Sequence, residues 1–194
     1  MGNFKTPYNN KQSKRYKQGF YKLINPDKYM GNPNAIIYRS SWELKFCHWC
    51  DTQTNIKRWH SECEFIPYQD AKGGYHRYYP DFYIEIVDQK DPMKLNKCLI
   101  EIKPENEIHP DFVEIDKETG RTKRIIPANE YLAMKAKKSK KGKPALKAYE
   151  SYLYGLNQYQ KNLYKWTRAK HYCKEKGYEF KILNQKVLTK QNIL

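Results

Sequence analysis

The chain has 194 residues and a formal charge of +16, from 37 Lys and Arg against 21 Asp and Glu. That length allows one compact domain, and that charge points to a polyanion, nucleic acid before an anionic membrane surface. No apolar run approaches the roughly 20 residues that cross a bilayer, Met1 to Gln12 hold no apolar signal core, and an odd count of five cysteines reads as reduced thiols; a soluble chain that stays where it is made is expected.

Residues 1–34 are polar and basic and are interrupted by Pro7, Pro26, Gly31 and Pro33. They predict an extended arm, read either as a DNA- or partner-binding arm or as a solvated tail. Folding is expected to begin at Ala35, with a short strand or lead-in at 36–38. Ser40 followed by Glu43 has the spacing of a capping box. Trp42, Phe46, Trp49 and Cys50 then recur at helical spacing, which predicts a helix over 41–51 with one buried face. Two short strands follow at about 56–60 and 63–68, and Lys72-Gly73-Gly74-Tyr75 reads as a hairpin turn. Residues 76–87 alternate as one strand. Tyr78, Phe82, Ile84 and Ile86 fall on one face, with Arg77, Tyr79, Asp81, Tyr83 and Glu85 on the other. After a polar turn over 89–96, residues 97–103 alternate again, with Cys98, Ile100 and Ile102 opposed to Leu99, Glu101 and Lys103.

Residues 104–147 read as an insertion, cut by Pro104, Pro110 and Pro127 and solvated for the most part. Its segment from Lys135 to Lys147 holds seven Lys and no acid, so Lys137, Lys138, Lys140 and Lys141 are candidate phosphate contacts. A helix is predicted over 149–176 with Leu156, Tyr159, Leu163, Trp166, Ala169 and Cys173 as its apolar stripe and Gly177 as its terminator. Tyr178, Phe180 and Ile182 predict a last strand, and the tail from Asn184 a short helical turn. The whole is an α/β or α+β domain around one mixed sheet.

The residues with the most chemical content are Pro80-Asp81 on one strand and Glu101-Ile102-Lys103 on the next. Phosphodiester hydrolysis needs a hard cation, a positioned water and help for the leaving oxygen. Magnesium keeps several waters and needs only one or two carboxylates. Asp81 and Glu101 are the candidate ligands, with the Ile102 carbonyl a third, and Lys103 lies within reach of the water or the phosphate. The plainer reading of the same residues is a Glu101–Lys103 surface ion pair beside a capping Asp81.

Tyr78-Tyr79-Pro80-Asp81-Phe82 followed by Leu99-Ile100-Glu101-Ile102-Lys103-Pro104 resembles the PD-(D/E)xK nuclease superfamily, in particular its TnsA-type branch. A closer likeness is to the head-completion nucleases of T-even-type tailed bacteriophages. It is carried by Asn25-Pro26-Asp27-Lys28-Tyr29-Met30-Gly31, Tyr38-Arg39-Ser40-Ser41-Trp42-Glu43, His76 to Phe82, Lys165-Trp166 and Gly177 to Leu183. The resemblance implies a restriction-endonuclease-like core, a cut in double-stranded DNA that depends on Mg2+ (or Mn2+), and a step in head completion after packaging. Assembly in the host cytoplasm and contact with portal or neck proteins follow from it. The insertion at 104–150 is longer than expected of that family.

The resemblance gives Glu43 a second reading, as a first-helix acid facing the metal. Arg39 can hold the scissile phosphate or pair with a nearby acid. Gln158, Asn162 and Lys165 share a polar stripe beside the apolar one, so Asn162 and Lys165, like Arg77, are candidate DNA contacts. Gln160 to Tyr164 matches Q-x-x-x-Y, for which solvent exposure is the plainer reading. His60 and His76 are expected to make structural hydrogen bonds. Cys47 and Cys50 have the spacing of a zinc half-site but lack a second pair, and core burial is the better reading. The competing function is a head-completion protein that binds DNA or the portal and does not cut.

Overall fold

The computed structural model describes residues 18–62, 64–138 and 145–194. Lys140, Lys141, Cys63, the side chain of Lys138 and the first half of the expected arm lie outside them.

The elements run β1 (Gly19–Phe20), β2 (Ile37–Tyr38), α1 (Ser41–Thr52), β3 (Ile56–Ser61), β4 (Ile66–Gln69), β5 (Tyr75–Tyr78), β6 (Phe82–Val87), β7 (Leu95–Ile102), α2 (Glu105–Ile108), β8 (Val113–Ile115), β9 (Thr122–Ile125), α3 (Ala128–Lys138), α4 (Ala145–Lys176), β10 (Glu179–Leu183) and α5 (Gln185–Lys190). The central sheet has the order β10-β7-β6-β3. β10 is parallel to β7, whereas β6 is antiparallel to both its neighbours. α1 covers one face, where Phe46, Cys47 and Cys50 pack with Phe82, Ile84, Cys98 and Ile100. α4 covers the other, where Trp166, Ala169 and Cys173 pack with Tyr83 and Leu99. Helices on both faces of a mixed sheet agree with a restriction-endonuclease-like core.

Local chemistry sets these boundaries. Ser40 Oγ accepts from Glu43 N at 3.1 Å and starts α1. Gly177, at φ +69°, takes the left-handed position that ends α4, and Asn184 caps α5 by accepting from Val187 N. Burial of Tyr152, Tyr159, Trp166 and Cys173 follows a seven-residue spacing along α4. Leu163, expected in that stripe, is exposed, and Asn162 is buried instead.

Three expectations are corrected. First, the strand read as continuous over 76–87 breaks at Tyr79-Pro80-Asp81. Pro80 has no N–H to give to a ladder, so β5 pairs with β4 and β6 with β3 and β7. The break shifts the phase of the alternation, and Tyr78 joins Tyr83 in the cluster under α4 instead of facing with Phe82. Second, the insertion is folded: Phe112, Val113, Ile126 and Tyr131 form a third cluster with Tyr152 and Tyr159 of α4. These six aromatic or β-branched side chains bury enough apolar surface to order a hairpin and a helix despite Pro104, Pro110 and Pro127.

Third, the structured part starts before Ala35. Tyr21 is buried, and its hydroxyl donates to Asp51 Oδ2 at 2.9 Å. The same carboxylate accepts from Ile24 N at 2.7 Å and Asn25 N at 3.0 Å. Lys28 Nζ donates to the carbonyls of Cys50, Asp51 and Gln53, closing the C-terminus of α1. This staple was hidden because each partner is an ordinary polar residue some 20–30 positions from the other. Asp51→Ala strips three donors of their acceptor at once, and we expect a loss of about 3 kcal/mol in denaturant unfolding. A loss below about 0.5 kcal/mol would mean that the staple does not hold the segment.

Candidate active site

The two acids meet where β6 and β7 part. Phe82 stands opposite Ile100, so continuing that register sets Asp81 opposite Glu101 and Pro80 opposite Ile102. Opposed residues in an antiparallel pair bring their Cβ atoms to about 5 Å. With Pro80 ending the ladder, the Ile102 N–H is satisfied by the Asp81 side chain, whose Oδ2 accepts it at 2.7 Å. One carboxylate oxygen of Asp81 is thereby fixed to the backbone of β7. No hydrogen bond to Oδ1 is formed among the described residues.

Glu101 is 3% exposed and shares the face of Leu99. Its Oε2 accepts from the Tyr78 hydroxyl at 2.7 Å, and Lys103 Nζ lies 3.4 Å from its Oε1. Tyr78 was not among the candidate site residues. The phase shift at Pro80 that turns it inward cannot be read from alternation, although a tyrosine two residues before the Pro-Asp pair is a visible signal. From α4, Lys165 Nζ stands 5.4 Å from the centre of the Tyr78 ring. The structure thus brings together Asp81, Glu101, Lys103 and Lys165.

Burial pushes the Asp81 carboxyl well above the usual range, and the neighbouring Glu101 pushes it further, against Lys103 and the Ile102 N–H. Burial also raises Glu101, against Lys103, the Tyr78 hydroxyl and Lys165. Burial alone lowers Lys103, but Glu101 and Asp81 outweigh it and its ammonium is held above the usual lysine range. Lys165 is lowered by burial, against the attraction of Glu101. Two carboxylates therefore lie side by side in a place that disfavours their charge even with two ammonium groups near them. That is the electrostatic condition in which a hard cation binds.

The donor set fits such an ion. It consists of the carboxylate oxygens of Asp81 and Glu101. Among the described residues no group of three or more His, Cys, Asp or Glu could hold a metal ion by itself. A magnesium site of two carboxylates completed by water matches this set, and a zinc cage does not.

Glu43 secures the helix start and lies within electrostatic range of Asp81. Its Oε2 accepts from Arg39 N at 2.8 Å, which secures the start of α1. Its charge also raises Asp81, less than Glu101 does. Arg39 is engaged as an ion-pair partner, through both arms of its guanidinium, with Glu62. Glu62 sits at φ +51°, and its N–H donates to the Asp81 carbonyl at 3.1 Å. Arg77 is exposed and stacks over Phe65, 4.9 Å from the ring centre. Lys137 is exposed. Gln160 is exposed, while Asn162 faces a cavity beside α4. His60 bonds the Ser61 carbonyl and His76 bonds Asp70, each at 2.7 Å. Cys47 and Cys50 are fully buried free thiols, and burial pushes Cys47 up to about 12; they belong to the core.

Residues 53–185 match the family model described as the TnsA-like endonuclease N-terminal domain, a span that holds Asp81, Glu101, Lys103 and Lys165. The chain is also similar to the head completion nuclease of Enterobacteria phage T4, with 29% identity over 162 residues, covering 83% of this chain and 86% of that protein. No solved structure gives a significant match.

Proposed function

The chain belongs to the TnsA-like endonuclease family, and from that premise we propose that it cuts double-stranded DNA with a divalent cation, magnesium foremost, during completion of a phage head. The head-completion step is taken from the similarity to the T4 protein. It carries with it action in the host cytoplasm during assembly and a contact with portal or neck proteins. The observation that carries the chemistry is the pairing of Asp81 with Glu101 at the end of two adjacent strands, with Lys103 against the second acid.

In this reading Asp81 and Glu101 hold the cation, with the Ile102 carbonyl and Glu43 as further oxygen donors. Bound there, Mg2+ (or Mn2+ in its place) supplies charge neutralisation on the phosphate and a more acidic water. The chain's own groups do the rest. The Tyr78 hydroxyl and the Ile102 N–H each fix one carboxylate oxygen, which leaves the other oxygens of the pair aimed without a conformational search. Lys103, cationic throughout the neutral range, holds the attacking water in line or stabilises the charge that grows on the pentavalent phosphorus. It has no free lone pair with which to take that water's proton. Lys165 is placed for the flanking phosphate. Arg77, Lys137, Lys138, Lys140 and Lys141 add sequence-independent attraction to the backbone. Arg39 can reach a phosphate only by exchanging Glu62 for it.

Supercoiled plasmid incubated with the protein and Mg2+ tests this reading. Nicked or linear product that disappears with EDTA and returns with excess Mg2+ is the expected result. Undiminished cutting in EDTA overturns the metal dependence, and DNA binding without any cutting favours a structural head-completion protein.

A further inference from the structure

Beside the acid pair lies a cavity of about 480 Å³, walled by α4 on one side and by α2 and the loop leading to β8 on the other. That size falls in the usual range of small-ligand pockets, about 300–1,000 Å³. It borders the site described above: Glu107, in its wall, is close enough to Lys103 to raise it. Asn162, also in its wall, precedes Lys165 by one helical turn.

Three features state its chemistry. Asn162 is 6% exposed, lines the cavity, and its carboxamide makes no hydrogen bond among the described residues. Its amide atoms are not sealed off but open to the cavity, where they can take a partner with both a donor and an acceptor. Gln158, one turn earlier, adds a second amide at the exposed rim. Aromatic rings line the rest, with buried Phe112 across from α4 and exposed Tyr154 on α4 itself. Finally, in a chain of net charge +16 the lining contains no Lys or Arg, and its ionisable groups include Glu107 and Asp111. The lining offers a phosphate no ammonium or guanidinium of its own, and its Asp111 is already paired with Lys135. A flat, neutral group with a hydrogen-bonding edge is welcome, and an amide edge facing aromatic walls is how proteins hold a nucleobase taken out of the stack.

We propose that this cavity is a nucleobase subsite, in which Asn162 receives the edge of a base splayed from the DNA next to the phosphate held at Asp81 and Glu101. The proposal rests on the nuclease reading for its location and deepens it: the preferred substrate is DNA with an unpaired nucleotide near the cut, such as a frayed or overhanging end.

The test uses 2-aminopurine, whose fluorescence rises when it leaves the base stack, walked one position at a time through a short duplex with a single-stranded tail. Binding is followed with the full chain in Ca2+, so that the readout does not depend on cutting. One or two adjacent positions should brighten several-fold or change their emission lifetime on binding, and Asn162→Leu, of similar size, should abolish that signal. Ser151→Trp, at the exposed rim of the same cavity, should abolish it by filling the space. It serves as the second variant if Asn162→Leu melts several degrees early. A flat response at every position while the DNA is bound overturns the subsite and leaves the nuclease reading standing, as does an unchanged signal in both variants. A clear signal with no plasmid cleavage in Mg2+ supports the subsite and counts against the nuclease.

Discussion

Asp81→Asn should abolish cleavage and yet make the metal-free protein more stable. The amide keeps the size of the side chain and can still accept from the Ile102 N–H, the bond that Oδ2 makes at 2.7 Å. What it loses is the charge. For turnover the loss falls on the group proposed to hold the cation, and removing such a charged stabiliser costs at least about 10³ in kcat/KM. For folding the sign is the reverse. Burial and Glu101 hold the Asp81 carboxyl well above its ordinary value of 3.8. Between the unfolded and the folded value the native state binds more protons than the unfolded one, so stability falls as pH rises through that window. At neutral pH the wild type bears this penalty and the Asn variant does not. Below about pH 3.8 the two should converge, because the carboxyl is then neutral in both states. A gain of only about 1 kcal/mol appears as a rise of roughly 2–4 °C in Tm for a domain of this size. Adding Mg2+ should raise the wild-type Tm and leave that of the variant nearly unchanged. Thermal melts of both proteins at pH 7, with and without Mg2+, read all of this. A variant that melts lower than wild type without metal would mean that Asp81 is a structural cap, and the cation site would lose its main ligand.

That trade between activity and stability sits where the sequence was most legible. The β7 alternation set Cys98, Ile100 and Ile102 against Leu99 and Glu101, and the two groups do enter opposite cores. Period-two alternation is legible because a strand has no other way to place successive side chains. The ends of α1 and α4 were legible too, since Ser40 and Gly177 act on their immediate neighbours. What escaped depends on partners far apart in the chain. The Tyr78 hydroxyl finds Glu101 only because Pro80 interrupts one ladder and hands Tyr78 to another. Asp51 looks like one more polar residue at the end of a helix until Tyr21, Ile24 and Asn25 converge on it. The aromatic residues that fold 104–147 are too widely spaced to show a period, and they close on Tyr152 and Tyr159 of a helix that begins after them. Asn162 reads as part of a polar stripe, but it is buried, because the folded insertion covers that side of α4.

Replacing Lys103 with Met separates the two parts that a cation plays in this site. Methionine keeps much of the length and apolar body of lysine and removes the ammonium that lies 3.4 Å from Glu101 Oε1. If that charge acts on the water or on the pentavalent phosphorus, the cost is confined to the transition state. We then expect kcat to fall by about 10²–10³, with DNA affinity in Ca2+ within a fewfold of wild type. Lys103→Arg keeps a charge but spreads it over a planar fork, and should restore only part of the rate. The variant also leaves Glu101 with less positive charge beside it, since Lys103 is the largest force opposing the rise of that carboxyl. Glu101 should therefore need a higher pH to ionise. The acid limb of the rate profile should move to higher pH in Lys103→Met, and raising the Mg2+ concentration should move it part of the way back, because cation and proton compete for the same oxygens. A purely structural lysine would change stability and leave that limb where it was. An unshifted limb with a near-normal rate would remove Lys103 from the chemistry and leave the acid pair without its proposed cationic partner.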